Sequence, residues 1–255
     1  MNLRLGGKRA LVTGASRGIG RAVAQVLAAE GCAVAGVARD PAELAALAKS
    51  LTGDGHAVAA IDLSAENLGP TISAAFDADA RPFDIVVNNV GGTLDVTDPF
   101  APMADWRAVM RFNFEVAVEV NQYFLPAMQR QRNGRIVNIS SIAGVEWNGP
   151  APYAAAKAAM NAYTRCIGRL VAADGIVMTG VIPGAVKTEG GYWERMEVER
   201  PDHVTKYLKE RCPQGRFGTP QEIADVVAFL ASDLSSFAPG STWTVDGGQL
   251  RSYAH

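Results

Sequence analysis

Short apolar runs alternate along the chain with longer stretches in which apolar residues recur every three or four positions. The short runs are typical of strands buried on both faces, whereas the periodic stretches predict amphipathic helices. Strands are expected at 10–13, 33–38, 57–61, 84–87, 134–141, 176–182 and 241–245, and helices at 21–30, 41–51, before 84, 103–131, 153–173 and 219–232. Because strands and helices alternate, we expect a single Rossmann-like domain over 1–255, an α/β fold with a doubly wound parallel sheet of about seven strands.

Composition and charge exclude several classes of partner. The chain of 255 residues has a formal net charge of −2 and a pI near 6.0, so it lacks the basic excess of proteins that bind nucleic acid or an anionic membrane. No apolar run approaches the roughly 20 residues needed to span a bilayer, and the N-terminal residues lack the apolar core of a signal peptide. The three cysteines and three histidines are widely separated, so we expect reduced thiols, no metal site and a cytoplasmic protein.

A glycine-rich turn directly follows the first predicted strand, in the sequence Thr13-Gly-Ala-Ser-Arg-Gly-Ile-Gly20. Glycines allow a tight turn and a close approach of the backbone to a pyrophosphate, while the N-terminus of the next helix offers free N–H groups. A plain strand-to-helix connection can contain a similar turn, but the place after the first strand favours a dinucleotide site. The expected contacts come from Gly14, Ser16, Arg17, Gly18, Ile19 and Gly20.

The end of the second predicted strand bears on the choice between NADP(H) and NAD(H). Asp40 lies at the distance from Gly20 where an acidic residue can bind the ribose 2′-OH of NAD, whereas an arginine there suits the 2′-phosphate of NADP. The sequence Asp40-Pro-Ala-Glu43 also has the form of a helix start, with Asp40 as the N-cap. With Asp40 assigned to the cap, Arg39 and Arg17 are left as cations for the phosphate, and NADP(H) is favoured over NAD(H).

Polar residues and glycines follow the later predicted strands as well. In a parallel sheet these segments share the carboxyl edge, where ligands bind. Asp62 follows the third strand and suits either a contact with adenine or the cap of the next helix. The remaining cofactor-binding candidates at this edge are Leu63, Asn89, Gly91, Pro183, Gly184, Val186 and Thr188.

Tyr153 and Lys157 lie four residues apart in an alanine-rich segment that predicts a helix, so their side chains share one face. An ammonium beside a phenol favours the phenolate and is expected to lower the pKa of Tyr153 from about 10 towards neutrality. Such a phenol can give a proton to a carbonyl oxygen or take one from an alcohol. Ordinary amphipathic helices show the same spacing, so the pair alone does not identify an active site. Ser141, at the end of a predicted strand, is placed to bring a hydroxyl beside the phenol.

Two further segments depart from regular patterns. Asn113 lies inside the predicted helix 103–131, where its amide competes for backbone hydrogen bonds, so it either disturbs the helix for a purpose or faces solvent. The segment 189–216 is charged, aromatic and glycine-hinged, and it is long for a connection. We expect it to form a substrate lid with a short helix of its own.

Taken together, these motifs resemble the single-domain branch of the short-chain dehydrogenase/reductase family over nearly the whole chain. The resemblance implies an NADP(H)-dependent oxidoreductase that interconverts a ketone and a secondary alcohol, with some similarity to 3-oxoacyl-thioester reductases. The alternative is an NAD-dependent dehydrogenase that oxidises a sugar, polyol or other secondary alcohol. The marks of the family are the glycine turn at 13–20, Asp62-Leu63, Asn88-Asn-Val-Gly91, Asn113, Ser141, Tyr153-x-x-x-Lys157, Pro183-Gly184, the stretch 215–233 and Asp246-Gly-Gly248.

The resemblance also implies a role for each residue that matches the catalytic pattern. Tyr153 would be the general acid/base, and Ser141 would hydrogen-bond the substrate oxygen. Lys157 would hold the nicotinamide ribose and lower the pKa of Tyr153. Asn113 would bend its helix and hold a water of the proton relay. Ser140 would be a strand residue, because the family pattern Ser-x-x-Gly fits Ser141.

A small-molecule carbonyl or alcohol substrate and a homotetramer, or a dimer, are the partners that the resemblance implies. In the family the long helices that bear Asn113 and Tyr153 commonly form the contacts, together with the C-terminal strand and helix. Some residues depart from the usual family pattern, and the lid matches least, so the substrate is left open. These departures are Val90, Met178-Thr179 and Ile182.

Overall fold

The computed structural model describes residues 2–76 and 81–252, and a parallel sheet lies at the centre of these residues. The strand order is β3-β2-β1-β4-β5-β6-β7, and every neighbouring pair is parallel. The order reverses between β1 and β4, which makes their carboxyl ends the expected ligand-binding edge. The predicted doubly wound α/β fold is confirmed. The strands are β1 Arg9–Thr13, β2 Ala33–Ala38, β3 Ala57–Ala60, β4 Ile85–Asn88, β5 Gly134–Ile139, β6 Ile176–Pro183 and β7 Thr242–Val245.

Helices cover both faces of the sheet and bury its apolar side chains. Successive residues of a strand point to opposite faces, so Leu11 enters one core cluster while Ala10 and Val12 enter the other. Burial on both faces explains why the strands are almost continuously apolar. The helices are α1 Gly18–Ala29, α2 Pro41–Ser50, α3 Leu68–Ala75, α4 Met103–Met110, α5 Val116–Gln131, α6 Ala151–Val171, α7 Tyr192–Glu199, α8 Pro201–Arg211 and α9 Pro220–Leu230.

Two predicted helix starts are confirmed by their capping bonds. The Asp40 carboxylate accepts hydrogen bonds from the backbone N–H groups of Ala42 and Glu43, at 2.8 and 3.1 Å. Thr219 and Glu222 form a reciprocal capping box at the start of α9. Both helix starts depend on hydrogen bonds between residues two or three positions apart, so the sequence alone can predict them.

Three predicted elements are corrected. The helix expected at 103–131 is divided by a π-helical turn at Arg111–Glu115, which separates α4 from α5. The strand expected to reach Ser141 ends at Ile139. The segment 189–216 contains two helices instead of one, because the extended residue Arg200 ends α7 and Pro201 begins α8.

Across residues 2–76 and 81–252, helices with the length and apolar character of a membrane span are absent. The same residues bring together no group of three or more His, Cys, Asp or Glu side chains that could hold a metal ion.

Two buried threonines differ in how their hydroxyl groups are satisfied. Thr164 on α6 accepts a hydrogen bond from the Asn138 amide at 2.9 Å. Thr179 on β6 is fully buried, and its hydroxyl has no hydrogen-bond partner. Because a buried polar group without a partner loses its hydration and gains nothing in return, Thr179 destabilises the folded state.

We therefore expect Thr179→Val to raise the free energy of unfolding by roughly 1–3 kcal/mol, since valine keeps the shape and removes the unpaired hydroxyl. Thr164→Val is the matched control. It should lower the free energy of unfolding because the buried Asn138 amide loses the hydroxyl that accepts its hydrogen bond. Urea denaturation curves of the wild type and the two variants, recorded at the same protein concentration, measure both effects. A Thr179→Val protein as unstable as Thr164→Val would contradict the prediction.

Candidate active site

The glycine-rich turn joins β1 to α1 and leaves its backbone open to a ligand. Gly14 and Gly18 have φ values of 65° and 55°, in the left-handed region that side chains avoid. A Cβ atom at Gly20 would lie 2.1 Å from the Gly14 carbonyl oxygen, so only glycine lets α1 start this close to the turn. The N-cap residue Arg17 makes no capping bond, so the first N–H groups of α1 remain available to a phosphate. Ile19 packs against the core beneath.

Asn89, which follows β4, shapes this turn from the neighbouring strand. Its amide Nδ2 donates to the carbonyl oxygens of Thr13 and Gly14, both at 3.1 Å, and its backbone N–H donates to the Thr13 hydroxyl. The Asn89 amide group is therefore engaged within the protein. Its contact with a cofactor stays a prediction, whereas its bonds to the turn are found directly.

Two cations stand free at the edge where a 2′-phosphate is expected. Arg17 and Arg39 are both exposed, and within the described part of the chain neither side chain forms a salt bridge or hydrogen bond. Ser16 and Leu63 are buried, so the Leu63 side chain belongs to the core and leaves only its backbone for a ligand. The open turn and the free cations fit a phosphorylated dinucleotide.

Asp62, at the end of β3, stabilises a tight turn. Its Oδ1 atom accepts hydrogen bonds from the backbone N–H and the hydroxyl of Ser64, at 2.9 and 2.8 Å. These bonds hold the pKa of the Asp62 carboxyl below its usual range, and Arg39 acts in the same direction more weakly. The next helix starts only at Leu68, so the alternative of Asp62 as its cap is wrong. A contact with adenine remains a prediction.

Tyr153 lies in the first turn of α6, beside Ser141 of the loop that follows β5. The Ser141 side chain lies near the phenol and acts to lower its pKa. The Ser141 hydroxyl also accepts from the backbone N–H of Ala143, at 3.1 Å. Lys157, one turn further along α6, is only 2% exposed, and its Nζ donates to the Ile139 carbonyl oxygen at 2.8 Å. The predicted trio is therefore brought together at the carboxyl edge of the sheet.

The turn Ile142–Gly144 packs directly on α6. This contact explains why a glycine stands three residues after Ser141. A Cβ atom on Gly144 would lie 2.5 Å from the carbonyl carbon of Lys157, so a larger residue would push α6 away. The Ser140 hydroxyl donates to the Lys157 carbonyl oxygen at 3.2 Å. Ser140 is thus a structural residue that joins the end of β5 to α6, although it lies just beyond β5 and not within the strand as predicted.

Asn113 is buried in the π-helical turn, and the alternative in which it faces solvent is wrong. Its Oδ1 accepts from the backbone N–H of Gly92 at 2.9 Å, and its Nδ2 donates to the carbonyl oxygens of Gly92 and Val109 at 2.8 and 2.9 Å. The amide thus replaces backbone bonds that the widened turn disrupts, and it fixes the loop after β4. A Cβ atom on Gly91 would lie 2.8 Å from Asn113 Oδ1 and 2.9 Å from Lys157 Nζ, so both groups line the same small space.

The predicted lowering of the Tyr153 pKa is not found. Burial raises the pKa of the phenol above its usual value, and the nearby Ser141 side chain only partly offsets this effect. Lys157 lies 5.7 Å from the centroid of the phenol ring. Burial also lowers the pKa of Lys157 to about 8, so its ammonium is itself costly to charge. The four-residue spacing predicts the nearby cation, but it does not reveal the desolvation of the phenol that raises its pKa.

The segment after β6 approaches the glycine-rich turn and completes this edge. The backbone N–H of Gly184 donates to the Val245 carbonyl oxygen at 3.0 Å, which fixes the turn that follows Pro183. A Cβ atom on Gly18 would lie 3.2 Å from the Thr188 Cγ2 atom, so Thr188 lies against the phosphate turn. The predicted candidates on β6 and its loop therefore share one cleft with those on β1.

Sequence reasoning missed several residues that hold the loops around this cleft. The Gln249 side chain accepts a hydrogen bond from the backbone N–H of Ala185 at 3.1 Å, and the Asn148 side chain lies near the Tyr207 phenol and acts to lower its pKa. These partners are far apart in the chain. No local pattern marks them, because their contacts exist only after the loops come together.

Comparison with known proteins agrees with this fold. A family model described as enoyl-(acyl carrier protein) reductase matches residues 14–249. The fold and the site define an oxidoreductase of the dinucleotide-binding class. The chain belongs to the short-chain dehydrogenase/reductase family.

Relatives with known names align over nearly their full length. The 3-oxoacyl-[acyl-carrier-protein] reductase FabG of Aquifex aeolicus is 35% identical over 255 residues, covering 98% of this chain and all of the relative. A crystal structure of 3-oxoacyl (acyl-carrier-protein) reductase from Agrobacterium tumefaciens with NADP bound is 31% identical, with a TM-score of 0.90 and coverage of 97% and 96%. L-sorbose reductase from Gluconobacter frateurii, complexed with NADPH and L-sorbose, is 27% identical, with a TM-score of 0.91 and coverage of 99% and 100%.

We expect Gly91→Ala to lower kcat by about ten- to a hundredfold, because the new methyl group would displace Asn113 and Lys157 by a fraction of an ångström to an ångström. The φ angle of Gly91 lies outside the region that side chains avoid, so the backbone itself tolerates alanine. Gly6→Ala is the matched control, since nothing lies within 4 Å of its Cβ position. Steady-state kinetics on one carbonyl substrate compares them, and equal kcat values would refute the crowding argument.

Proposed function

We propose that the protein is an NADPH-dependent reductase that converts the ketone of a 3-oxoacyl thioester into a secondary alcohol. The observation that carries this proposal is the convergence of Ser141, Tyr153 and Lys157 beside an open phosphate turn. The two 3-oxoacyl relatives named above support the substrate class. We also propose that the chain is a single domain, with the segment 189–216 as its substrate lid.

The roles of the catalytic residues follow from their contacts. The Ser141 hydroxyl, which lies near the phenol, is proposed to hold the substrate carbonyl oxygen. Tyr153 then donates its phenol proton to that oxygen as the carbonyl carbon accepts a hydride, so that one proton and one hydride yield the alcohol. Asn113 fixes the loop at Gly92 and is proposed to hold a water that returns a proton to the phenol.

The cofactor site is proposed to hold NADPH, which when bound supplies the hydride. Arg39 and Arg17 are the cations proposed for the 2′-phosphate, because Asp40 is committed to its helix cap. Lys157 is proposed to hold the nicotinamide ribose. The relatives with NADP or NADPH bound support the same choice. Further contacts are proposed for Gly14, Ser16, Gly18, Ile19, Gly20, Asp62, Leu63, Asn89, Gly91, Pro183, Gly184, Val186 and Thr188.

Apolar side chains on the cleft loops favour an acyl substrate over a sugar. Leu94, Trp147 and Tyr192 follow β4, β5 and β6, and they are 44%, 91% and 52% exposed. Large apolar side chains that remain exposed commonly mark a binding surface. The sugar-reducing relative from Gluconobacter supports a second candidate, in which the carbonyl belongs to a keto sugar.

Exposed apolar side chains and free cysteines bear on the proposed assembly and cellular location. Leu170, Phe237 and Trp243, on or near α6 and β7, are large and exposed, which supports a homotetramer or dimer that covers them. The three cysteines are all free, which supports a reducing, cytoplasmic location.

Replacing Tyr153 with phenylalanine tests the proposed reaction. We expect the variant to bind NADPH within about twofold of the wild type and to lose about 10²–10⁴-fold in kcat, because the proton donor is gone. Tyr163→Phe is the matched control on the same helix, where the phenol accepts a hydrogen bond from the Asn121 amide. The assay follows NADPH consumption with a short 3-oxoacyl thioester. A Tyr153→Phe enzyme that kept most of its turnover would sink the assignment.

Replacing Arg39 with alanine tests the cofactor preference. We expect KM for NADPH to rise by about ten- to a hundredfold and KM for NADH to stay unchanged, because the lost hydrogen bond involves two charged groups. Arg107→Ala removes the same charge from α4, away from the cleft, and should change neither value. If Arg39→Ala left the preference for NADPH over NADH unchanged, the 2′-phosphate assignment would be wrong.

A further inference from the structure

The residues 246–251, called here the C-terminal segment, fold into a compact turn beside the cleft. The Asp246 carboxylate makes this turn, because its two oxygens accept from the backbone N–H groups of Gly248 and Leu250 at 2.9 and 2.7 Å. Gly247 and Gly248 have φ values of 62° and 83°, which only glycine adopts readily. The segment is therefore held in one shape by its own residues.

The first contact of the C-terminal segment fixes the loop after β6. The Gln249 side chain is buried, and its Oε1 accepts from the backbone N–H of Ala185 at 3.1 Å. A Cβ atom on the preceding residue, Gly184, would lie 2.8 Å from the Asp246 Cα atom, so the two backbones touch. Removing the Gln249 acceptor would leave a buried N–H group without a partner, and the loop would have to move to satisfy it.

The second contact reaches the loop that joins Ser141 to Tyr153. The Glu146 carboxylate in that loop is 19% exposed, and its Oε2 accepts from the backbone N–H of Arg251 at 3.1 Å. Its other oxygen, Oε1, lies 3.6 Å from Arg211 of α8. One carboxylate thus connects the catalytic loop, the C-terminal segment and the proposed lid.

The third contact holds the lid directly. The Arg251 guanidinium donates to the Glu210 carbonyl oxygen near the end of α8, at 2.9 Å. The next residues of the lid lie against the glycine pair, since a Cβ atom on Gly248 would be 3.5 Å from Pro213. The C-terminal end of the lid is therefore fixed to the same segment that holds the other two loops.

We propose that the C-terminal segment is a strap that holds the lid and the loop after β6 in register with the catalytic loop, with Gln249 and Arg251 as positioning residues. The expected effect of the strap on substrate binding rests on the proposed function, whereas its effect on the loops does not. Because the strap fixes the loops and touches no reacting atom, its loss should weaken binding more than it slows the chemical step.

Two variants separate the two contacts. Arg251→Ala removes only the bond to Glu210, so amide hydrogen exchange should rise in peptides covering 201–215, and KM for the thioester should rise about tenfold while kcat changes less than about twofold. Gln249→Met removes the acceptor for Ala185, so exchange should rise about tenfold in peptides covering 183–188.

Matched controls are Arg130→Ala and Gln221→Met, which change the same residue types on exposed helix surfaces, and peptides from β1 serve as the internal reference. Unchanged exchange at 201–215 in Arg251→Ala would overturn the strap, even if Gln249→Met failed to fold. Raised exchange with an unchanged KM would overturn its role in substrate binding. If exchange rises as expected but the wild type reduces no thioester, the strap stands and the proposed function fails.

Discussion

The contact between the end of β5 and α6 at Lys157 is the constraint on which the rest of the site depends. The Lys157 ammonium is held by the Ile139 carbonyl oxygen, its backbone carbonyl accepts from Ser140, and Gly144 packs against its backbone. These three contacts set the distance between the catalytic loop and the helix. They also explain why a buried cation is tolerated, since burial alone would expel a lysine unless a partner compensated for its lost hydration.

The protonation state that follows from this burial favours one direction of the reaction. A phenol whose pKa is raised stays protonated at neutral pH, and a protonated phenol is the form that can donate to a carbonyl oxygen. Oxidation of an alcohol needs the phenolate, which the desolvated site disfavours. The lowered pKa of Lys157, about 8, still leaves most of the ammonium charged near pH 7.

The sequence predicts what depends on neighbouring residues and fails where distant segments meet. β2 has the predicted bounds, and the caps at Asp40 and Thr219 are confirmed, because each rests on a pattern a few residues long. Asn113 marks a disturbance of its helix in the sequence, but the form of that disturbance, a π-helical turn, is not predictable because one extra residue in a turn barely alters the apolar period. The Gly144 contact with α6 was likewise invisible, because it exists only when β5 and α6 pack together.

The charges of the segment 189–216 also make contacts with distant segments that the sequence does not predict. These contacts bear on which substrate the segment suits. The segment is strongly charged, yet some of its arginines lie near carboxylates of neighbouring loops. Arg195 pairs with Asp95 at 3.7 Å, and Arg211 pairs with Glu146 at 3.6 Å. Such pairs join the lid to the loops after β4 and β5, so they set its position more than its affinity for a charged group. Pairing part of the charge of this segment with neighbouring loops is compatible with the apolar acyl chain of the proposed 3-oxoacyl substrate.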